Sequence, residues 1–91
     1  MYSRAVIRII GLVQGVGYRY FACQAAQALS LTGTVRNQDD GSVEVIVEGS
    51  KSMILELIRE LERGHRFSHV SSVQVQWEAY RASFKTFSIL H

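Results

Sequence analysis

NQDDGSVEVIVEGSKSMILELIRELERG, residues 37–64, carries three structural signals in series. Asp40-Gly41 is a strong hairpin-turn pair. Ser42–Glu48 then alternates, with Val43, Val45 and Val47 on one face and Glu44 and Glu48 on the other, the pattern of a strand with one buried side. Beyond Gly49 the apolar period lengthens. Met53, Ile54, Leu57, Ile58 and Leu61 make one stripe of an amphipathic helix over Ser50–Arg63, with Ser50 or Ser52 placed to cap its start and Gly64 its end. A turn, a strand and a helix in that order make a β-β-α unit.

Outward from this unit the same logic fills in the chain. Thr32–Asn37 is a short strand ahead of the hairpin. Before it, Phe21, Ala22, Ala25, Ala28 and Leu29 recur at helical spacing between Tyr20 and Ser30, with Gln24 and Gln27 turned outward. Arg4–Ile10 is rich in β-branched residues and reads as the first strand. After the second helix Val73, Val75 and Trp77 alternate in a fourth strand, and Phe84, Phe87 and Ile89 mark a fifth after a turn near Arg81–Ser83. The order β-α-β-β-α-β, with one extra strand, predicts an α+β, ferredoxin-like sandwich. It has an antiparallel sheet of four or five strands with two helices on one face, and residues 1–91 form a single domain. The first two strands then run the same way with the third between them. The loop after strand one and the hairpin after strand two therefore share one end of the sheet, two inter-strand spacings or about 10 Å apart.

Composition narrows the function. Hydrophobic residues are 47% of the 91 and charged residues 20%, the balance of a globular chain rather than a disordered one. The net charge of +2 favours small anions slightly, and no block of Lys/Arg points to a nucleic-acid or membrane surface. RNA-recognition modules share the βαββαβ order, but Ala5–Ile10 and Ser42–Glu48 contain no aromatic residue on which a base would stack. Cys23 is the one cysteine, so no intramolecular disulfide forms. MYSRAVIRIIG is too short in its apolar run, and too interrupted by arginine, for a signal peptide. A reducing, cytoplasmic setting is expected.

The chemistry concentrates in Gln14-Gly15-Val16-Gly17-Tyr18-Arg19, between the first strand and the first helix. Glycines there allow successive N–H groups to point into one concavity, the following helix adds its unpaired N–H groups, and Arg19 can fork two donors onto a phosphate or carboxylate. The Gly-Lys-Ser/Thr ending of a nucleotide-binding loop is missing. Alone, the stretch is a weak signal and reads more readily as a tight turn followed by a surface arginine. Asn37 stands just ahead of the hairpin at the same sheet end, where Asn and Asp are also ordinary turn residues. His65 and His69 have metal-ligand spacing, but Gly64 ends the helix before them and no third ligand is evident. Cys23 reads as a partly buried structural thiol, and Trp77 and the phenylalanines as core or sheet-face residues.

Together, GLVQGVGYR (residues 11–19) and VRNQDDGSVEV (35–45) resemble the two signatures of the acylphosphatase family, and the resemblance continues at Gly64, Ser68, Val70 and Phe87-Ser88-Ile89. It implies hydrolysis of a small-molecule acyl phosphate to carboxylate and inorganic phosphate, without metal or cofactor. It implies phosphate binding by the stretch Gln14, Gly15, Val16, Gly17, Tyr18 and Arg19, with the backbone amides of Gly15 through Arg19 as the cradle. Arg19 matches the family's phosphoryl-binding arginine and Asn37 its water-positioning asparagine. Asn37 does not titrate, so it orients the water while a phosphoryl oxygen takes the proton; Asp39 and Asp40 are the rival bases. Phosphate and other small anions are expected as inhibitors, with no nucleic-acid or membrane partner and a monomeric protein. The chain departs from the pattern at Leu12, where arginine is common, at Tyr18, where phenylalanine is usual, and after Gly64, where a proline is missing and a looser or differently set loop is expected. Two alternatives remain: a carbamoyl-phosphate-directed role, as in the related domain of hydrogenase-maturation carbamoyltransferases, and a non-catalytic anion-binding or regulatory ferredoxin-like module.

Overall fold

The computed structural model describes all residues, Met1–His91. Strand β1 is Tyr2–Leu12, helix α1 Tyr18–Ala28, β2 Thr32–Asn37, β3 Val43–Ser50, α2 Lys51–Arg63, β4 His69–Glu78 and β5 Phe87–Leu90. The strands form one five-stranded sheet in the order β4-β1-β3-β2-β5. β3 lies antiparallel between β1 and β2, so those two run the same way and the β1–α1 loop and the β2–β3 hairpin share one end, hereafter the site pole.

One inner face carries the core. Ala5, Ile7 and Ile9 of β1, Val35 of β2, Val43, Val45 and Val47 of β3 and Phe87 of β5 meet Ala22, Ala25 and Ala26 of α1 and Ile54, Leu57 and Leu61 of α2, all buried. Each fully buried Val, Leu or Ile contributes about 1.5–3 kcal/mol. The alternation read in β3 is thus realised, and α1 rests on the sheet through small alanines. Its buried stripe is Ala22–Ala25–Ala26 rather than one running to Ala28, which is exposed. Ser50 precedes α2, but its hydroxyl pairs with that of Ser52 instead of capping the helix N–H groups. Trp77 (39% exposed) and Phe67 (66% exposed) lie at the surface and not in the core.

The expectation of an antiparallel sheet is corrected at β5, which pairs parallel to β2, with Gly33 opposite Phe87 and Arg36 opposite Leu90. β4 runs away from the site pole at the far edge beside β1. The chain must then cross the sheet and return, so β5 arrives next to β2 heading back to the site pole. The crossing segment, residues 79–86, is held by Glu48 on the outer face of β3. Its carboxylate accepts the N–H groups of Arg81 and Ser83, both at 2.8 Å, and pairs with Arg4 at 3.3 Å. Glu48 is 1% exposed. Burial pushes its pKa up, but the Arg81 and Ser83 N–H groups and the Arg4 guanidinium outweigh burial and hold it below the usual carboxylate value.

A bulge between Ile10 and Gly11 shifts the β1–β4 register and turns the end of β1 toward the loop. At Gly11 the φ of 145° lies outside ordinary L-residue space, and a Cβ would overlap the His69 carbonyl oxygen.

Candidate active site

Helix α1 begins at Tyr18, two residues before the apolar pattern suggested, and this puts Arg19 in its first turn. The residue before the helix, Gly17, has φ 78° and ψ 18°, a left-handed conformation that offers no side-chain cap. Gly15 is likewise left-handed, at φ 73°, and a Cβ at either glycine would meet nothing within 4 Å. These two glycines are there for backbone direction, not for close packing. Gly17 spends its carbonyl on the N–H of Phe21. The N–H groups of Gly15 through Tyr20 have no acceptor within the chain, as expected for a nest continued by a helix start.

Gln14 fixes this loop to the hairpin. Its Nε2 donates to the carbonyls of both Gln38 and Ser42 at 2.8 Å, so its side chain braces the two halves of the site instead of reaching into the cleft. Tyr18 projects the other way. It is 1% exposed, and its hydroxyl donates to the Leu61 carbonyl at 2.7 Å at the end of α2. Burial raises its pKa well above that of an ordinary tyrosine. The Tyr18 hydroxyl is therefore satisfied inside the fold.

Between the loop and the end of β2 lies a cleft of about 200 Å³. Gly15, Gly17, Tyr18, Arg19 and Asn37 line it, together with Val13, Tyr20, Ile89 and His91. Arg19 donates from Nη1 to the Leu90 carbonyl at 2.9 Å, which leaves the rest of its guanidinium fork uncommitted. The side-chain oxygen of Asn37 is buried and has no hydrogen-bond partner in the protein. A buried acceptor without a donor carries a desolvation cost of about 1–3 kcal/mol, a strain that ordinary turn residues do not bear.

Asp40 stands apart from this cleft. Its carboxylate accepts the hydroxyl (2.6 Å) and N–H (2.9 Å) of Ser42 and pairs with Arg8. The Ser42 hydroxyl and N–H, followed by Arg8, bring its pKa down to about 2. Asp39 is exposed and does not line the cleft. His65 packs against Tyr18, Phe21 and Phe67, its Nδ1 accepting the N–H of Phe67. The loop after Gly64 is closed by Ser68, whose Oγ accepts the His65 N–H and donates to the His65 carbonyl, so it is set without the missing proline.

The family model for acylphosphatase matches residues 5–89. The chain belongs to the acylphosphatase family. The acylphosphatase of Caldanaerobacter subterraneus subsp. tengcongensis is 45% identical over 83 residues, which is 91% of this chain and 92% of that one. That of Pelotomaculum thermopropionicum is 40% identical over 87 residues, 96% and 95% of the two chains. The crystal structure of acylphosphatase from Bacillus subtilis matches over the whole of both chains with a TM-score of 0.94 at 34% identity. The same fold also occurs inside a larger protein: full-length HypF, in its phosphate- and nucleotide-bound form, matches all of this chain with a TM-score of 0.87 at 30% identity, over 12% of its own length.

Within this acylphosphatase-family chain, five of the residues read from the sequence, Gly15, Gly17, Tyr18, Arg19 and Asn37, come together on one cleft. Gln14 and Val16 do not line it: Gln14 braces the hairpin and Val16 packs against the core. Sequence reasoning missed Val13, Tyr20, Ile89 and His91. The last two reach the cleft because β5 runs parallel to β2, a pairing that no local pattern in residues 84–91 encodes.

Proposed function

We propose that this chain hydrolyses the carboxyl–phosphate bond of small acyl phosphates, and that Arg19, the loop amides and Asn37 carry the reaction. The observation that supports it most is the pairing, across one cleft, of unpaired N–H donors and a guanidinium with a buried, unpartnered Asn37 oxygen. The donors suit a phosphoryl group. The free fork of Arg19 takes two of its oxygens, and the N–H groups of Gly15 through Tyr20, backed by the positive end of α1, take the rest. The Asn37 oxygen suits a water, accepting one of its hydrogens and aiming its lone pair at phosphorus.

An acyl phosphate is already activated, because carboxylate leaves readily. The protein has to position the water and offset the charge gathering on the phosphoryl oxygens, and each preorganised donor of this kind accounts for about 10²–10³ in turnover. Arg19 and the amides supply that charge without a metal ion or cofactor. Asp40, held at about 2 by Ser42 and Arg8, is a poor base and takes no part. Inorganic phosphate and similar anions, fitting the same donors, are competitive inhibitors.

Hydrolysis of benzoyl phosphate in the presence of a chelator, wild type beside Arg19→Ala, tests this reading. Turnover by the wild type that is unaffected by chelator and lost in Arg19→Ala is the expected result. A wild type that binds phosphate without hydrolysing the substrate would favour the non-catalytic anion-binding module instead.

A further inference from the structure

An attacking water reacts only when it stands about 3–3.5 Å from phosphorus and in line with the bond that breaks, and a misplacement of about 1 Å costs on the order of 10²-fold. In this chain the two parties sit on separate segments. The N–H groups suited to the phosphoryl group belong to the β1–α1 loop and the first turn of α1, whereas Asn37 closes β2. The sheet does not join them. The β1–β3 ladder ends at Ile9 opposite Val43, and beyond it β1 pairs with β4 alone. The β2–β3 ladder ends at Asn37, opposite the same Val43.

One side chain spans the gap. Nε2 of Gln14 donates to the carbonyls of Gln38 and Ser42, both at 2.8 Å, and these are the only hydrogen bonds between residues 13–18 and residues 37–43. The same two carbonyls close the hairpin, that of Gln38 accepting the N–H of Gly41 at 3.1 Å and that of Ser42 the N–H of Gln38 at 2.9 Å. A primary amide carries two N–H donors, one for each carbonyl. Gln14 precedes Gly15, where the unpaired N–H groups begin, and Gln38 follows Asn37. The tie therefore runs from the foot of the cradle to the residue beside the water site. Neighbouring residues lie about 3.8 Å apart along the chain, which leaves little play at either end.

We propose that Gln14 is a positioning residue for the hydrolysis, an inference that rests on the acyl-phosphate reading above. Its side chain contacts neither the phosphoryl group nor the water. It sets the distance and angle between the cradle that holds phosphorus and the Asn37 oxygen that holds the water, and so acts on the chemical step through Asn37. Phosphate binding does not depend on it. The left-handed Gly15 and Gly17 and the start of α1 shape the cradle, and the Leu90 carbonyl holds Arg19. The signature of such a role is a loss confined to kcat that disappears once Asn37 is absent.

The test is a double-mutant cycle on benzoyl phosphate hydrolysis with wild type, Gln14→Leu, Asn37→Ala and the double variant, with inhibition by inorganic phosphate measured on each. Gln14→Leu removes both donors at similar volume. Gln14→Glu keeps the shape and polarity but turns an acceptor-only carboxylate onto the two carbonyls. Each loses about 10–10²-fold in kcat, with phosphate inhibition unchanged. In the Asn37→Ala background Gln14→Leu costs little more, because residues that act through one another are not additive. If Gln14→Leu does not fold, the same cycle run with Gln14→Glu decides by the same criteria. Fully additive losses, the parent kcat in both Gln14 variants, or phosphate inhibition that weakens in step with kcat would overturn the proposal. A wild type with no hydrolysis would overturn both this proposal and the reading beneath it, so turnover by the wild type separates the two failures.

Discussion

The two poles of the sheet use the same components toward opposite ends. At the pole remote from the cleft, backbone N–H groups of Arg81 and Ser83 and the guanidinium of Arg4 converge on an anion that the chain itself provides, the Glu48 carboxylate. At the site pole, the N–H groups of Gly15 through Tyr20 have no acceptor within the chain, and the Arg19 guanidinium lines a cleft that holds no Asp or Glu side chain. A donor cluster that carries its own carboxylate is a clamp, here the one that fixes the crossing between β4 and β5. A donor cluster without one is suited to a ligand, and the unpartnered Asn37 oxygen beside it suits a reacting water.

Substitutions that exchange the character of the two poles test this contrast. The largest effect is expected at Arg19. Arg19→Ala should cost at least about 10²–10³ in kcat/KM on benzoyl phosphate, and Arg19→Lys should not restore it, since a point charge lacks the two-pronged fork. Unfolding in denaturant should change little for either variant; a large loss of stability would make Arg19 a clamp like Glu48.

Glu48→Ala should do the reverse. Removing one partner of a buried ion pair and orphaning two N–H groups should lower unfolding stability by about 3 kcal/mol in urea titrations. The pH dependence has a definite sign. The folded pKa of Glu48 is depressed, so its contribution is whole above about pH 4.3, the ordinary glutamate value, and is lost as pH falls through the lower folded value. The acid limb of wild-type stability should therefore flatten in Glu48→Ala, and an unchanged limb would mean that other carboxylates set it.

The smallest effect on turnover is expected at Asp40, which touches Ser42 and Arg8 and not the cleft. Asp40→Asn should keep a kcat/KM near the parent value. A loss comparable to that of Arg19→Ala would make Asp40 a base after all.

Much of this was legible in the residues themselves. The alternation of Val43, Val45 and Val47 and the stripe of Ile54, Leu57 and Leu61 placed β3 and α2, because burial on one face enforces a period that composition displays. The order of the elements, with β3 antiparallel between β1 and β2, sets the parallel run of those two strands and brings Arg19 and Asn37 to one cleft. α1 starts two residues before its apolar pattern, because the left-handed Gly17 sets the boundary and the pattern becomes regular only beyond Arg19. Glu48 read as a solvated strand residue, and only the crossing segment, distant in sequence, buries it. β5 was recognised as a strand but not as a parallel one, since the direction of an edge strand depends on the route of the preceding loop. His91 was invisible for the same reason.

The most direct test of the account is a single comparison of Asn37→Ala with wild type, measuring kcat on benzoyl phosphate and the inhibition constant for inorganic phosphate on the same preparations. The account predicts a kcat lower by about 10² with phosphate affinity preserved, because Arg19 and the loop amides are untouched. An Asn37→Ala protein that hydrolyses benzoyl phosphate at the parent rate would contradict it.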